Sequence, residues 1–196
     1  MFTGIIETLG TVRHIQQEKE NITFTIQASL TPQLKIDQSI AHNGVCLTVT
    51  NLLADTYTVT AIWETLEKTN LRTWQVGTLV NLERCMPANG RFDGHFVQGH
   101  TDQTGVCTEV QDQNGSWKFS FAYDHTSGNL TVEKGSICVN GVSLTVVGSQ
   151  EGKFSVAIIP YTYEHTNFKQ IEVGSVVNLE FDIIGKYLQQ ILKKSI

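Results

Sequence analysis

The sequence predicts an all-β protein made of two small antiparallel barrels. Three observations carry that expectation: a long internal repeat, period-two alternation of apolar and polar residues, and dense turn signals. The repeat is the strongest. Ser39-Ile40-Ala41-His42-Asn43-Gly44-Val45-Cys46-Leu47-Thr48-Val49-Thr50 returns 97 residues later as Ser136-Ile137-Cys138-Val139-Asn140-Gly141-Val142-Ser143-Leu144-Thr145-Val146-Val147, with eight of twelve positions identical. The same offset carries residues 65–71 onto 162–168 and 76–83 onto 173–180, while Gly4 and Gly10 match Gly99 and Gly105 at an offset of 95. A unit of about 95 residues is too long for a solenoid repeat and suits a small domain.

Taken in chain order, Thr23–Ile26, Thr56–Thr60, Lys118–Phe121 and Lys153–Ile158 alternate apolar with polar residues and are rich in β-branched and aromatic side chains. Turn signals separate such runs: Asn43-Gly44, Asn89-Gly90, Asn114-Gly115, Ser127-Gly128, Asn140-Gly141 and Glu151-Gly152. Short strands broken this often, with only 3 prolines, predict a barrel in each half and leave no room for βαβ crossovers. One helix stands out at the C-terminus. Ile184, Tyr187, Leu188, Ile191 and Leu192 recur at helical spacing, with Lys186, Gln189, Gln190, Lys193 and Lys194 on the other faces. A helix of about twelve residues is marginal alone, so its apolar stripe docks either on its own barrel or on another subunit. The expected division is a first barrel at 1–94, a second at 95–183 and the helix at 184–196.

Composition narrows the function classes. The 196 residues are 40% hydrophobic and 17% charged, and Lys+Arg 14 against Asp+Glu 19 gives a net charge of −5. An acidic chain without a basic run has no electrostatic footprint for duplex nucleic acid or anionic lipid. Apolar stretches such as Val45–Val49 and Val156–Ile159 fall far short of the roughly 18–20 residues of a membrane span. Met1–Glu7 has no basic region ahead of its apolar residues, so no signal peptide is expected and a cytoplasmic setting follows. Cys46, Cys85, Cys107 and Cys138 form no C-x-x-C pair, and His95 and His100 are spaced for neither a helix face nor a strand face. No metal site is expected, and the cysteines are expected as free thiols.

Six blocks carry a resemblance. Met1–Glu7, Asn43–Thr48, Glu64-Thr65-Leu66, Gly94-His95-Phe96-Val97-Gln98-Gly99-His100, Asn140–Thr145 and Glu164-His165-Thr166-Asn167 resemble the signature blocks of the riboflavin synthase family, from residue 1 to about 190, duplication included. The resemblance implies two similar six-stranded antiparallel Greek-key barrels that bind lumazine and a homotrimer held by the C-terminal helices. It also implies no metal or other cofactor, and an association with lumazine synthase. The implied reaction is a transferase-type dismutation: one 6,7-dimethyl-8-ribityllumazine gives a four-carbon unit to another, yielding riboflavin and 5-amino-6-ribitylamino-pyrimidinedione. In the family the first barrel of one subunit faces the second barrel of the next. Non-catalytic relatives that bind lumazine or flavin and emit light are the rival class; they have lost the reactive residues, and Ser39, Cys46 and His100 are intact here.

Two like ligands call for two like pockets. Residues kept in both halves, among them Asn43/Asn140, Gly44/Gly141 and Thr48/Thr145, are expected to bind; unshared pairs, Cys46/Ser143 and Ile5/His100, are expected to set donor against acceptor. Backbone amides and hydroxyls can meet a flat ring with carbonyl and imide edges without any charge. One pocket is expected to be framed by Gly4, Ile5, Ile6, Cys46, Leu47, Thr48, Thr60, Ala61, Ile62, Trp63, Glu64 and Thr65. The other is expected from Gly99, His100, Thr101, Lys134, Ser143, Leu144, Thr145, Ile159, Pro160, Tyr161, Thr162, Tyr163 and Glu164. Trp63, Tyr161 and Tyr163 depart from the usual pattern and either stack on the ring or fill the barrel mouth.

The chemistry requires a base for a methyl proton, a nucleophile at the donor ring, and hydroxyls that pass protons. His100 is the candidate base or proton shuttle, since a free imidazole titrates near ~6.5. Cys46 either attacks the ring or orients water. Ser39, Thr48, Ser143 and Thr145 supply hydroxyls, and Asp182 either supports the site or caps the final helix.

Overall fold

The computed structural model describes residues 1–193; residues 194–196 of the expected helix lie outside them. The first repeat contributes β1 (Thr8–Glu18), β2 (Asn21–Gln27), β3 (Ser39–His42), β4 (Val45–Leu53), β5 (Thr56–Ala61) and β6 (Leu79–Arg84). The second contributes β7 (Gln103–Asp112), β8 (Trp117–Tyr123), β9 (Ser136–Val139), β10 (Val142–Gln150), β11 (Lys153–Ile158) and β12 (Val176–Phe181). Each set closes into a six-stranded barrel, in the orders β1-β2-β5-β4-β3-β6 and β7-β8-β11-β10-β9-β12. The order is the same in both, and all pairings are antiparallel, as the alternation and turn chemistry predict.

The Asn-Gly signals become tight hairpins. Asn43 and Gly44 both have positive φ, 47° and 79°, and join His42 to Val45; Asn140 and Gly141 do the same between Val139 and Val142. Closure leaves inward-facing residues as two apolar cores, one around Phe24, Ile26, Ile40, Val49, Tyr57 and Leu82, the other around Phe119, Phe121, Ile137, Val156, Phe168 and Leu179. Each such side chain contributes roughly 1.5–3 kcal/mol by leaving water.

Two six-residue helices lack any counterpart in the sequence reading: α1 (Trp63–Lys68) and α2 (Pro160–His165), each followed by a short 3-10 turn. They are shorter than two helical turns, so no periodicity announces them. What ends them is visible: Thr69 and Thr166 turn their hydroxyls back onto the carbonyls of Thr65 and Thr162. The C-terminal helix is α3 (Ile183–Lys193). Its Ile184, Tyr187, Leu188 and Leu192 are exposed, and a cavity of about 390 Å³ opens between its apolar face and Leu130, Val132 and Phe181. No helix among the described residues is long and apolar enough to cross a membrane.

The barrels meet about a pseudo-twofold axis. Phe2 and Val97 exchange backbone hydrogen bonds of 2.7 and 3.2 Å, and a Cβ on Gly44 or Gly141 would lie 2.8 or 2.7 Å from the other's nitrogen. Around this axis sit buried Asn43, Asn70, Asn81, Asn140, Asn167 and Asn178. Asn81 donates to the Asn140 carbonyl and the Asn167 side chain, both at 2.9 Å; Asn178 donates to the Asn43 carbonyl at 2.9 Å and Asn70 to the Val176 carbonyl at 3.0 Å. Asn43 and Asn140, expected among the ligand-binding residues because both copies keep them, instead join the barrels. Buried amides at a junction must be paired, which explains their repetition without a ligand.

Candidate functional site

The two lead-in peptides, residues 1–7 and 96–102, decide the geometry. Each is held by a buried carboxylate on the last strand of its own repeat. On β6, Glu83 accepts from the N–H and hydroxyl of Thr3 at 2.7 and 2.8 Å and from the N–H of Gly4 at 3.0 Å. On β12, Glu180 accepts from the N–H groups of Gln98, Gly99 and His100 at 2.6, 2.9 and 3.0 Å. Each peptide then crosses to the other barrel. Ser143 N–H donates to the Gly4 carbonyl at 2.8 Å, and Cys46 N–H donates to the Gly99 carbonyl at 2.8 Å. Both glycines have positive φ, and a Cβ on Gly4 or Gly99 would lie 2.6 or 2.7 Å from the Cβ of Ser143 or Cys46, so no larger residue allows the crossing.

The crossing corrects the expected grouping of pocket residues. Gly4 and Ile6 lie with Ser143 and the second core, not with Cys46; Gly99 and His100 lie with Cys46, not with Ser143. Sequence order favoured the uncrossed arrangement, since nothing local in either peptide reports which barrel it touches. The first-barrel site therefore joins Cys46, Leu47 and Thr48 on β4 to Gly99, His100 and Thr101, with Thr60 and Ala61 on β5 alongside, because Val49 pairs with Val59. Ile62, Trp63, Glu64 and Thr65 follow at its mouth on the entry to α1, Ile62 and Trp63 exposed. The second-barrel site joins Ser143, Leu144 and Thr145 on β10 to Gly4, Ile5 and Ile6, with Ile159, Pro160, Tyr161, Thr162, Tyr163 and Glu164 at its mouth on α2. Exposed Lys134 adjoins this barrel, its N–H bonded to the Val146 carbonyl of β10.

In the first site Ser39 pairs across from Thr48 and stands beside the Cys46 thiol. Burial pushes that thiol up from its ordinary value, the Ser39 hydroxyl opposing, so Cys46 is protonated at neutral pH. The hydroxyl of Thr101 is buried and makes no hydrogen bond among the described residues. In the second site Ser136 pairs with Thr145, and the Ser143 hydroxyl lies 2.7 Å from Nδ1 of His95. Burial lowers the His95 pKa while the nearby Asp182 carboxylate opposes it. Asp182 also accepts from the N–H of Ile184 at 2.9 Å, so it caps α3 and faces the site at once. Tyr163 stacks on Trp117 at 3.9 Å and fills the barrel mouth, whereas exposed Tyr161 stacks on His165 at 4.1 Å.

His95 is the site residue that sequence reasoning missed. It stands in the same Gly94–His100 block as His100, but nothing local in the sequence marks it as the partner of Ser143.

With this geometry in view, comparison with known proteins is decisive. The lumazine binding domain matches twice, over residues 3–85 and 98–182. The chain belongs to the lumazine-binding domain family. Among curated members, riboflavin synthase of Actinobacillus pleuropneumoniae is 43% identical over 99% of this chain and 91% of that one. Riboflavin synthase of Bacillus subtilis is 41% identical over 100% and 91%. The crystal structure of LumP complexed with riboflavin superposes with a TM-score of 0.85 at 22% identity, covering 92% of this chain and 99% of that one, a likeness of fold. The two family matches begin at Thr3 and Gln98, equivalent positions in the two crossing peptides.

Proposed function

We propose that the chain is a riboflavin synthase, a transferase that converts two molecules of 6,7-dimethyl-8-ribityllumazine to riboflavin and 5-amino-6-ribitylamino-pyrimidinedione by four-carbon transfer. The observation that carries this reading is the crossing. It puts both reactive unshared side chains, Cys46 and His100, at one of two otherwise like sites and leaves Ser143 and Ile5 at the other. The relatives' names agree with it. Two equivalent scaffolds with unequal side chains suit a reaction in which identical molecules meet opposite fates.

In this reading His100 takes the methyl proton, and the resulting carbanion delocalises into the ring carbonyls. Cys46, neutral through burial, orients water at the ring carbon with Ser39 rather than attacking as thiolate. Thr48, Ser143 and Thr145 relay protons, and Asp182 supports the second site through His95. The two lumazine molecules together contain all atoms of both products, so water added to the donor ring is released again as the four-carbon unit leaves, and no external oxidant is consumed. Much of the rate then comes from holding the rings in near-attack geometry.

The working division keeps residues 1–94 and 95–183 as the lumazine-binding barrels and 184–196 as the oligomerisation helix. The exposure of Ile184, Tyr187, Leu188 and Leu192 on α3, and of Ile5, Ile62, Trp63, Ile159 and Tyr161 at the site mouths, supports a homotrimer in which one subunit's first site meets another's second. Deleting residues 186–196 then lowers turnover at least tenfold more than it weakens ligand binding, as fluorescence titration and steady-state rates together show. The cytoplasmic reading is supported by Met1–Glu7, which has no basic region ahead of its apolar residues. Association with lumazine synthase rests on the family resemblance alone and is tested by co-sedimentation of the two purified proteins.

The test of the activity is direct. Mixing the protein with the lumazine gives a steady rise in riboflavin absorbance, one riboflavin formed per two lumazines consumed. A stable fluorescent complex without turnover overturns the reading in favour of a carrier.

A further inference from the structure

We infer that Glu180 is the positioning residue of the Cys46 site: its carboxylate, bonded to the N–H groups of Gln98, Gly99 and His100, fixes His100 across the barrel junction. The inference rests on the riboflavin synthase reading and adds a group that touches no substrate.

Three N–H groups on successive residues converge on one buried side chain, at 2.6, 2.9 and 3.0 Å. Oε2 takes two of them and Oε1 the third, a set that the ionised carboxylate accepts more strongly than the neutral acid, whose proton competes on one oxygen. The peptide is otherwise held on either side, by the Phe2–Val97 backbone pair and by the Asp102 N–H on the Leu179 carbonyl at 2.9 Å, neither of which takes an N–H of residues 98–100. Gly99 spends its carbonyl on Cys46, and Asp102, just beyond, accepts from the Phe181 N–H at 2.9 Å and binds Lys186 at 2.7 Å. His100 is itself exposed and makes no side-chain hydrogen bond among the described residues, so its place is set by its backbone. Glu83 does the same for Thr3 and Gly4 at the second site, which makes it an internal control.

The arrangement titrates. Burial raises the Glu180 pKa to about 7, against the three N–H bonds and Lys186, which lower it. The groups facing it are Lys186 from α3, itself paired with Asp102; Cys138, its register partner on β9, which also feels Glu83; and Cys46 on β4. Both thiols are pushed up by burial and stay neutral here, so among the described residues Lys186 is the cation acting on the carboxyl. As pH falls through about 7 the carboxyl gains a proton, one lone pair is withdrawn from the N–H groups, and His100 loosens.

The test is a cycle of Glu180→Gln and His100→Gln with the lumazine as substrate. Glu180→Gln lowers kcat at least tenfold with KM within twofold, and makes the acid limb of the kcat profile shallower, leaving the limb that His100 imposes as base. In the His100→Gln background the same change costs less than twofold. Glu83→Gln leaves the limb as steep as in the wild type. Equal losses in both backgrounds, or an acid limb as steep in Glu180→Gln as in the wild type, overturn the inference. Should Glu180→Gln fail to fold, the Gly99 amide of 15N-glycine-labelled His100→Gln protein is followed from about pH 5.5 to 8.5. A midpoint near 7 supports the carboxylate's hold, and a flat response overturns it. Absence of riboflavin from the wild type overturns the function reading instead, and the amide titration still decides on Glu180.

Discussion

The two barrels share strand order, hairpins and junction asparagines, yet they differ in the side chains at their candidate sites and in one core. The first buries His42 with Nε2 2.8 Å from the Tyr57 hydroxyl; the second carries Val139 and Phe154 at the same places in an apolar core. The first site holds Cys46 and His100, the second Ser143, His95 and Ile5. Duplication preserved what holds backbone in place, the Asn-Gly turns and the Glu83 and Glu180 carboxylates, and released the rest. Symmetry in this molecule belongs to the scaffold, and its chemistry belongs to the exceptions.

The largest expected effect tests that division directly. His100→Gln lowers kcat roughly 10²- to 10³-fold, the usual weight of a general base, while lumazine still binds at the second site with unchanged affinity by titration calorimetry. Comparable loss of binding at both sites contradicts the division.

Next comes the contrast in the cores. Burial holds the His42 pKa at about 4 in the fold, below the 6.5 of a free histidine. The unfolded chain therefore takes up a proton first: His42 stabilises the fold above about 6.5, and this contribution disappears as pH falls through 4. The expected loss between those limits is about 3 kcal/mol by urea unfolding. Converting the pair to its second-barrel form, His42→Val with Tyr57→Phe, flattens that slope.

At the junction the halves should respond alike. Asn81→Ala orphans the Asn167 N–H and the Asn140 carbonyl and costs about 2 kcal/mol; Asn178→Ala should match it within about 0.5 kcal/mol by thermal unfolding. A large mismatch means that one barrel dominates the junction. The smallest effect is at the surface, where Arg84 clamps Glu7 at 2.6 Å and both are about a third exposed. Arg84→Met costs under about 1 kcal/mol and less still at high salt.

Much of this was legible in the sequence, for identifiable reasons. Asn43-Gly44 and Asn140-Gly141 name their own turn, because the paired positive φ values at these hairpins favour those residues. The stripe from Ile184 to Leu192 names its helix. Glu83 and Glu180 were visible as a repeated pair, but not that each binds three donors from a peptide far away in sequence. His95 was legible as a histidine and not as a partner of Ser143, a contact across 48 residues.

By itself the sequence determined two like barrels, a final helix and the two side chains, Cys46 and His100, that break the symmetry, because turn chemistry, alternation and identity at a fixed offset are local properties of the chain. Only the tertiary structure decided that the lead-in peptides cross, and with them which histidine serves which site. That choice is made by buried carboxylates and glycine clearances between residues about fifty to a hundred and forty positions apart, where packing rather than neighbourhood sets the partner.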